Sequence, residues 1–178
     1  QLDGRSQPVP AEDAVAAPYS PHSPQDAEHE DSGTGPLQSV VSALAAGIAV
    51  CDVARPLVPP GLPLGICWPN DVFVGSRKLS GTLVETVANG RCVVGIGVNV
   101  NNRSSDAPAE LRNHVVSIID LVGSPLDRGD ILEGILLSLR NLVGQSTAQI
   151  AARADALCLQ KGRTLEIEVG GRVLTGSC

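Results

Sequence analysis

The fold is decided by the stretch C-W-P-N-D-V-F-V-G-S-R-K-L-S-G-T-L-V-E at residues 67–85, together with C-V-V-G-I-G-V-N-V-N at residues 92–101. Short apolar runs alternate here with turn residues, which is typical of antiparallel strands joined by tight turns. The Asn89-Gly90 dipeptide lies between two such runs and predicts a hairpin, because both residues accept a positive φ. We therefore expect three or four mainly antiparallel strands, over 64–67, 71–74, 78–87 and 92–100.

Apolar residues at helical spacing lie on both sides of this block. The predicted helices run from Leu37 through Ile48 with Pro36 in the first turn, over Val115–Val122, from Asp127 or Gly129 through Leu142, and over about Gln149–Leu159. The third helix is predicted to present a core face of Ile131, Ile135, Leu136, Leu139 and Leu142. The segments 163–169 and 172–176 flank Gly170-Gly171 and predict a last hairpin. Together these elements predict an α+β fold, with a mixed, mainly antiparallel sheet flanked by helices.

Charge divides the 178 residues into two parts. Residues 1–36 hold seven acidic side chains, one basic side chain and six of the 13 prolines, whereas residues 37–178 hold twelve acidic and twelve basic side chains. We predict that 1–36 is mostly disordered, because so acidic and proline-rich a segment buries too little apolar surface to offset the entropy of ordering. It would also repel a phosphate backbone, so we expect no nucleic-acid partner.

The apolar runs, cysteines and histidines indicate the compartment and exclude some kinds of site. We expect neither a membrane span nor a secretory signal, because Ser42 and Gly47 interrupt the longest apolar stretch and no basic, apolar leader is visible. The five cysteines are widely spaced without a C-x-x-C pair, and the three histidines are scattered. Neither a disulfide framework nor a zinc site follows, and the cytoplasm is the expected compartment.

Three motifs of the β block carry residues suited to phosphate chemistry. Asn70 and Asp71 supply hard oxygen ligands that could hold magnesium, although such a pair is also a common turn. Lys78 supplies a single cation, although a lysine at a strand edge is often only solvated. Gly81 and the G-I-G-V-N run at 95–99 leave backbone bare for a flat ligand, and Asn99 can donate to a phosphate oxygen.

In this order the motifs resemble those of the biotin protein ligase family, whose pattern is K-W-P-N-D, K-L-x-G-I-L-V-E and G-I-G-I-N-V-N. This chain has C-W-P-N-D at 67–71, K-L-S-G-T-L-V-E at 78–85 and G-I-G-V-N-V-N at 95–101. The resemblance covers about 37–178. It implies a class II synthetase-like architecture, shared by biotin and lipoate ligases. Residues 37–160 would form part of the catalytic domain, and 161–178 the incomplete start of a C-terminal SH3-like domain.

The resemblance also implies an activity. Biotin and ATP would react to biotinyl-adenylate, with Mg²⁺ as the metal, and biotin would then pass to a lysine of a carboxylase carrier domain. Lys78 would be the catalytic residue and contact the biotin carboxylate, and Gly81 and Gly95 would line the biotin slot. Asn70, Asp71 and Asn99 would serve ATP, with Asp71 and Asn70 as the magnesium ligands.

Some features depart from the family, and several alternatives stay open. Residues 1–36 contain no G-R-G-R-x-G-R loop, and Cys67 stands where the family has lysine. Both departures remove positive charge from the phosphate site and predict an impaired ligase. The alternatives are a non-catalytic biotin-binding homologue and a lipoate or octanoate transferase of the same architecture. A homodimer formed through the sheet edge is left open by the resemblance.

Overall fold

The computed structural model describes residues 35–87 and 91–178. Its centre is an antiparallel sheet of four strands in the order β1 (Leu64–Cys67), β2 (Asp71–Val74), β3 (Arg77–Val87) and β4 (Arg91–Val98). The predicted strands and the α+β fold are thus confirmed. The Asn89-Gly90 turn lies outside the described residues, as do residues 1–34 of the segment predicted to be disordered.

Helix α1 (Gly35–Ala54) covers one face of this sheet. Its stretch 46–51 is almost completely buried, and the core continues into Leu64, Ile66 and Val72 of the strands. The segment Gln38–Leu57 is long and apolar enough to cross a bilayer, which the sequence reading did not anticipate. Of its most apolar window, 39% is buried, where α1 packs against the sheet and two further helices.

Three more helices follow the sheet: α2 (Ile118–Val122), α3 (Arg128–Val143) and α4 (Thr147–Leu157). The predicted Asp127 cap of α3 is confirmed, since its carboxylate accepts the Gly129 N–H at 2.6 Å. The prediction that α2 begins at Val115 is wrong. Val115 pairs with Lys78 as extended backbone, and the helix starts only after a capping box of Ser117 and Asp120.

Two further predictions about the helices need correction. Helix α4 begins two residues earlier than expected, because Ser146 and Gln149 form a capping box, and it ends at Leu157. Leu136 is not a core residue: it is 56% exposed, whereas Ile131, Ile135 and Leu142 are buried. A stripe that includes both positions 135 and 136 is wider than the face that α3 presents to α1.

The chain closes with a separate hairpin of β5 (Thr164–Val169) and β6 (Arg172–Ser177). Gly170 and Gly171 both have positive φ, as the two-residue turn between these strands requires. The predicted terminal hairpin is therefore confirmed. Its assignment to an SH3-like domain over 161–178, like the domain boundary at 160, stays a prediction.

Candidate functional site

A β-bulge places the candidate lysine on the open face of the sheet. Val72 pairs with Ser80, but the next residue, Phe73, pairs with Lys78, so that Leu79 is an extra residue in β3. Side chains alternate along a regular strand, and Lys78 and Gly81, three positions apart, would then lie on opposite faces. The bulge puts both on the face that α1 does not cover.

The ammonium of Lys78 lies above Gly81 and forms an ion pair with Asp71. The Lys78 Nζ–Asp71 Oδ1 distance is 2.7 Å. A Cβ atom at Gly81 would lie 3.1 Å from Asp71 Oδ1, Lys78 Cε and Lys78 Nζ. Glycine at 81 therefore leaves the space in which the two side chains meet.

The ion pair is partly exposed, with 42% of the Lys78 side chain and 25% of the Asp71 side chain accessible. Pairs of this kind contribute about 0.2–1 kcal/mol to stability, because water screens the two charges. An incoming carboxylate or phosphate can therefore replace Asp71 as the partner of Lys78 at small cost.

An open cleft of about 440 Å³ surrounds this pair. Its floor is bare backbone of β3 and β4, and its charged groups lie at one end. The lining residues are Asn70, Asp71, Lys78, Gly81, Thr82, Leu83, Gly95, Ile96 and Gly97. Five of the six predicted site residues are thus brought together, while Thr82, Leu83, Ile96 and Gly97 were missed. Strand alternation around Gly81 and Gly95 could have identified Leu83 and Gly97, which the register places on the same face.

Asn70 is held rigidly at the edge of the cleft. Its Nδ2 donates to the Thr82 carbonyl at 2.7 Å, and its own carbonyl accepts the Thr82 N–H at 2.9 Å. Because the amide nitrogen is used in this way, the Oδ1 atom is the part of the side chain suited to a cation or a donor group of a ligand.

Asn99 lies behind Lys78 and does not line the cleft. Its Nδ2 is 3.3 Å from the Val116 carbonyl and 3.5 Å from the Lys78 carbonyl, and its Oδ1 accepts from Asn102 at 3.0 Å. The role in ATP binding stays a prediction for Asn99. In this geometry its carboxamide holds the backbone at Lys78 against the segment that precedes α2.

The end of β1 and the turn before β2 contain a cysteine and an exposed tryptophan, Cys67 and Trp68, next to residues 70 and 71 of the cleft. Trp68 is 55% exposed beside the cis Trp68–Pro69 peptide, and its backbone N–H donates to Gln160 Oε1 at 2.7 Å. Burial raises the pKa of the Cys67 thiol above its ordinary value, and the charge of Asp71 raises it further. Cys67 therefore stays a neutral thiol at pH 7 and adds no charge to the cleft.

The residues present could hold magnesium only together with a ligand. Among the described residues, no cluster of three or more His, Cys, Asp and Glu side chains could form a metal site. Asp71 and the Oδ1 of Asn70 nevertheless supply the one or two oxygen ligands that Mg²⁺ takes from a protein when phosphates complete its shell. The donor set thus fits magnesium bound with a polyphosphate.

A larger groove of about 650 Å³ lies elsewhere, between α1, α3, α4 and Val94 of β4. Its lining is apolar or uncharged, from Gln38 and Val41 on α1 to Ile150 on α4. A reaction that develops phosphate charge needs a cation, which this groove does not offer. The cleft at Lys78 is therefore the candidate site, despite its smaller volume.

Comparison with known sequences gives the following relatives. No protein-family model matches the chain. A biotin–[acetyl-CoA-carboxylase] ligase from Mycobacterium tuberculosis is 36% identical over 138 residues, which cover 75% of this chain and 50% of that relative. The bifunctional ligase/repressor BirA from Bacillus spizizenii is 36% identical over 81 residues, or 43% of this chain and 25% of that relative. The chain therefore spans half or less of the length of these relatives.

Comparison with solved structures agrees. The apo structure of biotin protein ligase from Aquifex aeolicus has a TM-score of 0.66 and 25% identity, over 78% of this chain and 62% of that chain. The complex of that ligase with biotin and ATP has a TM-score of 0.64 and covers 78% of this chain and 59% of that chain. The resemblance inferred from the three motifs is thereby confirmed in sequence and in fold.

Proposed function

We propose that this chain, a homologue of biotin protein ligases over most of its length, is the central part of such an enzyme. It would join biotin to ATP to form biotinyl-adenylate and pyrophosphate, and then pass biotin to a lysine of a carboxylase carrier domain. Its relatives carry the name of this ligase, and a structural neighbour was solved with biotin and ATP. The cytoplasm is the compartment we expect for the reaction.

One observation carries the proposal: the Lys78 ammonium lies over a glycine floor, held by a carboxylate that another anion can replace. In the first step a carboxylate oxygen of biotin attacks the α-phosphorus of ATP and pyrophosphate leaves. Negative charge accumulates between the attacking oxygen and the phosphate, and a compact ammonium at that point stabilises it. Lys78 is the only lysine in the cleft lining.

The bare backbone at Gly81, Gly95 and Gly97 suits the flat ring system of biotin. Leu83, which pairs with Gly95, adds apolar surface beside these glycines. A ligand with a fused ring and an aliphatic chain can lie on such a floor while its carboxylate reaches Lys78. Glycine at these positions lets the ligand approach the backbone closely.

Asp71 and Asn70 would hold magnesium with the phosphates of ATP. The metal would supply positive charge to the leaving pyrophosphate. If Asp71 held the metal, it would no longer pair with Lys78, whose ammonium would be available to the substrate carboxylate. Asp71 thus positions Lys78 before the ligands bind and serves the nucleotide afterwards.

The second step needs no protein nucleophile. The amine of the carrier lysine attacks the acyl carbon of biotinyl-adenylate, the bond to phosphate oxygen breaks, and AMP leaves. Alignment of the amine with the mixed anhydride accounts for the acceleration. The open side of the cleft leaves room for a carrier lysine to enter.

The test compares the two lysines of the chain. We expect Lys78→Ala to lower biotin-dependent pyrophosphate release by about 100-fold or more, the cost of removing a group that stabilises transition-state charge. Lys161→Ala is the matched control, because Lys161 lies in an exposed ion pair with Asp155. Circular dichroism of both variants reports whether folding is unchanged.

Three outcomes would refute the proposal or narrow it. Equal rates for Lys78→Ala and wild type would refute the assignment of Lys78. Calorimetric binding of biotin without pyrophosphate release in the presence of ATP would favour a non-catalytic binding protein. Binding of lipoate or octanoate in preference to biotin would assign the chain to the transferase branch.

A further inference from the structure

Two cysteines that are far apart in sequence lie side by side at the base of the terminal hairpin. Cys158 follows the last turn of α4, and Cys178 follows β6. Their Sγ atoms are 3.8 Å apart. Cys178 is exposed and Cys158 is half-buried, so both thiols can be reached by a small oxidant.

Backbone hydrogen bonds keep the two residues in this relation. The Gly162 N–H donates to the Cys178 carbonyl at 2.8 Å, and the Cys178 N–H donates to the Arg163 carbonyl at 3.0 Å. On the other side, Cys158 is bridged to Ile66 of β1. The proximity of the thiols therefore results from the fold and not from two free side chains that happen to meet.

We propose that Cys158 and Cys178 are an oxidation site that forms a reversible intramolecular disulfide. The oxidant is a low-molecular-weight disulfide such as oxidised glutathione. The thiolate of one cysteine attacks it and releases one thiol, and the second cysteine then attacks the mixed disulfide and releases another. Two protein thiols are oxidised, one disulfide is reduced to two thiols, and the protons pass to these products.

No other two thiols among the described residues form a hydrogen bond with each other. Burial raises the pKa of Cys51 to about 12, so that its thiol is inert in the folded protein. Cys92 lies beside the hydroxyls of Ser39 and Thr86. Cys67 follows Ile66, which bridges to Cys158. It is the alternative disulfide partner of Cys158 that the experiment must distinguish from Cys178.

The disulfide would join the hairpin to the segment that supports the candidate cleft. Leu159 donates its N–H to the Ile66 carbonyl at 2.9 Å, and Gln160 Oε1 accepts the backbone N–H of Trp68 at 2.7 Å. Fixing Cys158 to Cys178 therefore restrains the residues that hold the turn before Asp71. This consequence does not depend on which ligand the cleft binds.

Peptide mapping of the folded protein tests the proposal. After equilibration with oxidised glutathione, excess thiols are alkylated and the protein is digested with trypsin without reduction. We expect a crosslink between the peptide 154–161, which contains Cys158, and the peptide that begins at Val173, which contains Cys178. Two free thiols should be lost, and reduced glutathione should restore them.

Variants identify the partners in this experiment. Cys158→Ser and Cys178→Ser should each abolish the crosslink and leave a glutathione adduct on the remaining cysteine. Cys67→Ser and Cys92→Ser should leave the crosslink unchanged. The proposal would be overturned by a Cys67–Cys158 crosslink in the wild type, or by separate glutathione adducts on Cys158 and Cys178 without a crosslink. Hydrogen exchange at the Trp68 amide, slowed on oxidation only when both cysteines are present, gives an independent readout.

Discussion

Position 81 is the point at which backbone, cation and carboxylate of the candidate site meet. A Cβ there would contact both partners of the Lys78–Asp71 ion pair at 3.1 Å. At the neighbouring Gly97, a Cβ would find only the Gly81 carbonyl, at an ordinary 3.8 Å. The two glycines lie on the same face and pair with each other across β3 and β4. Substituting each glycine with alanine therefore separates the effect of displacing the ion pair from the effect of a methyl group on the sheet.

We expect Gly81→Ala to weaken biotin binding by about tenfold or more, because the displaced ammonium loses its alignment with the ligand carboxylate. Gly97→Ala should weaken binding less than Gly81→Ala, because its methyl group narrows the same floor but meets no charged group. Isothermal titration with biotin measures both, and urea unfolding checks that each variant retains its stability. Equal losses of affinity in the two variants would show that displacement of the Lys78–Asp71 ion pair does not cause the effect of Gly81→Ala.

At the scale of elements, the segment between β4 and α3 holds the strand end that carries Lys78. Lys78 donates its N–H to the His114 carbonyl at 2.8 Å and accepts the Val116 N–H at 3.0 Å. Directly after this pairing, Asp120 accepts hydrogen bonds from the Ser104 N–H, the Ser117 N–H and the Ser117 hydroxyl, at 2.8–3.1 Å. The capping box of α2 therefore stabilises the segment that is hydrogen-bonded to the backbone of Lys78.

The Asp120 carboxylate makes the stability of this cap depend on pH. Burial opposes its ionisation, but the hydrogen bonds from Ser117 and Ser104 outweigh burial and lower the pKa of Asp120 below its ordinary value. The carboxylate therefore contributes stability above the unfolded-state pKa of about 3.9, and this contribution is lost as the pH falls through the lower folded-state pKa.

We expect Asp120→Asn to lower the free energy of unfolding by about 1–2 kcal/mol at pH 7, the usual cost of a damaged helix cap. The difference from wild type should shrink as the pH falls below about 3.9, where the unfolded state begins to take up the proton, and should be lost below the lower folded-state pKa. Urea unfolding between pH 7 and pH 3 measures this, with Asp130→Asn on the exposed first turn of α3 as the control. A difference that is constant with pH, or equal in the control, would contradict this account.

At the scale of the whole molecule, the sequence predicted the parts that depend on local pattern. The four strands follow from alternation and turn residues, and the Asp127 cap of α3 from its side chain. Five of the six predicted site residues line one cleft because the motifs lie on adjacent strands.

The parts that sequence did not predict depend on contacts between distant residues. The bulge at Leu79 is set by the pairing of β2 with β3, and no local pattern marks it. The extended backbone at Val115 depends on a partner at Lys78, and its apolar spacing alone suggested a helix. The proximity of Cys158 and Cys178 arises only when the hairpin folds back on the end of α4.

The role proposed for Lys78, as the cation that receives the biotin carboxylate in the cleft, can be measured directly. Since the chain has two lysines, protein labelled with ¹³C at lysine Cε gives two side-chain signals, which the Lys161→Ala variant assigns. We predict that titration with biotin shifts the Lys78 signal in a saturable way and leaves the Lys161 signal in place. A Lys78 signal that does not move while calorimetry reports biotin binding would exclude this role of Lys78.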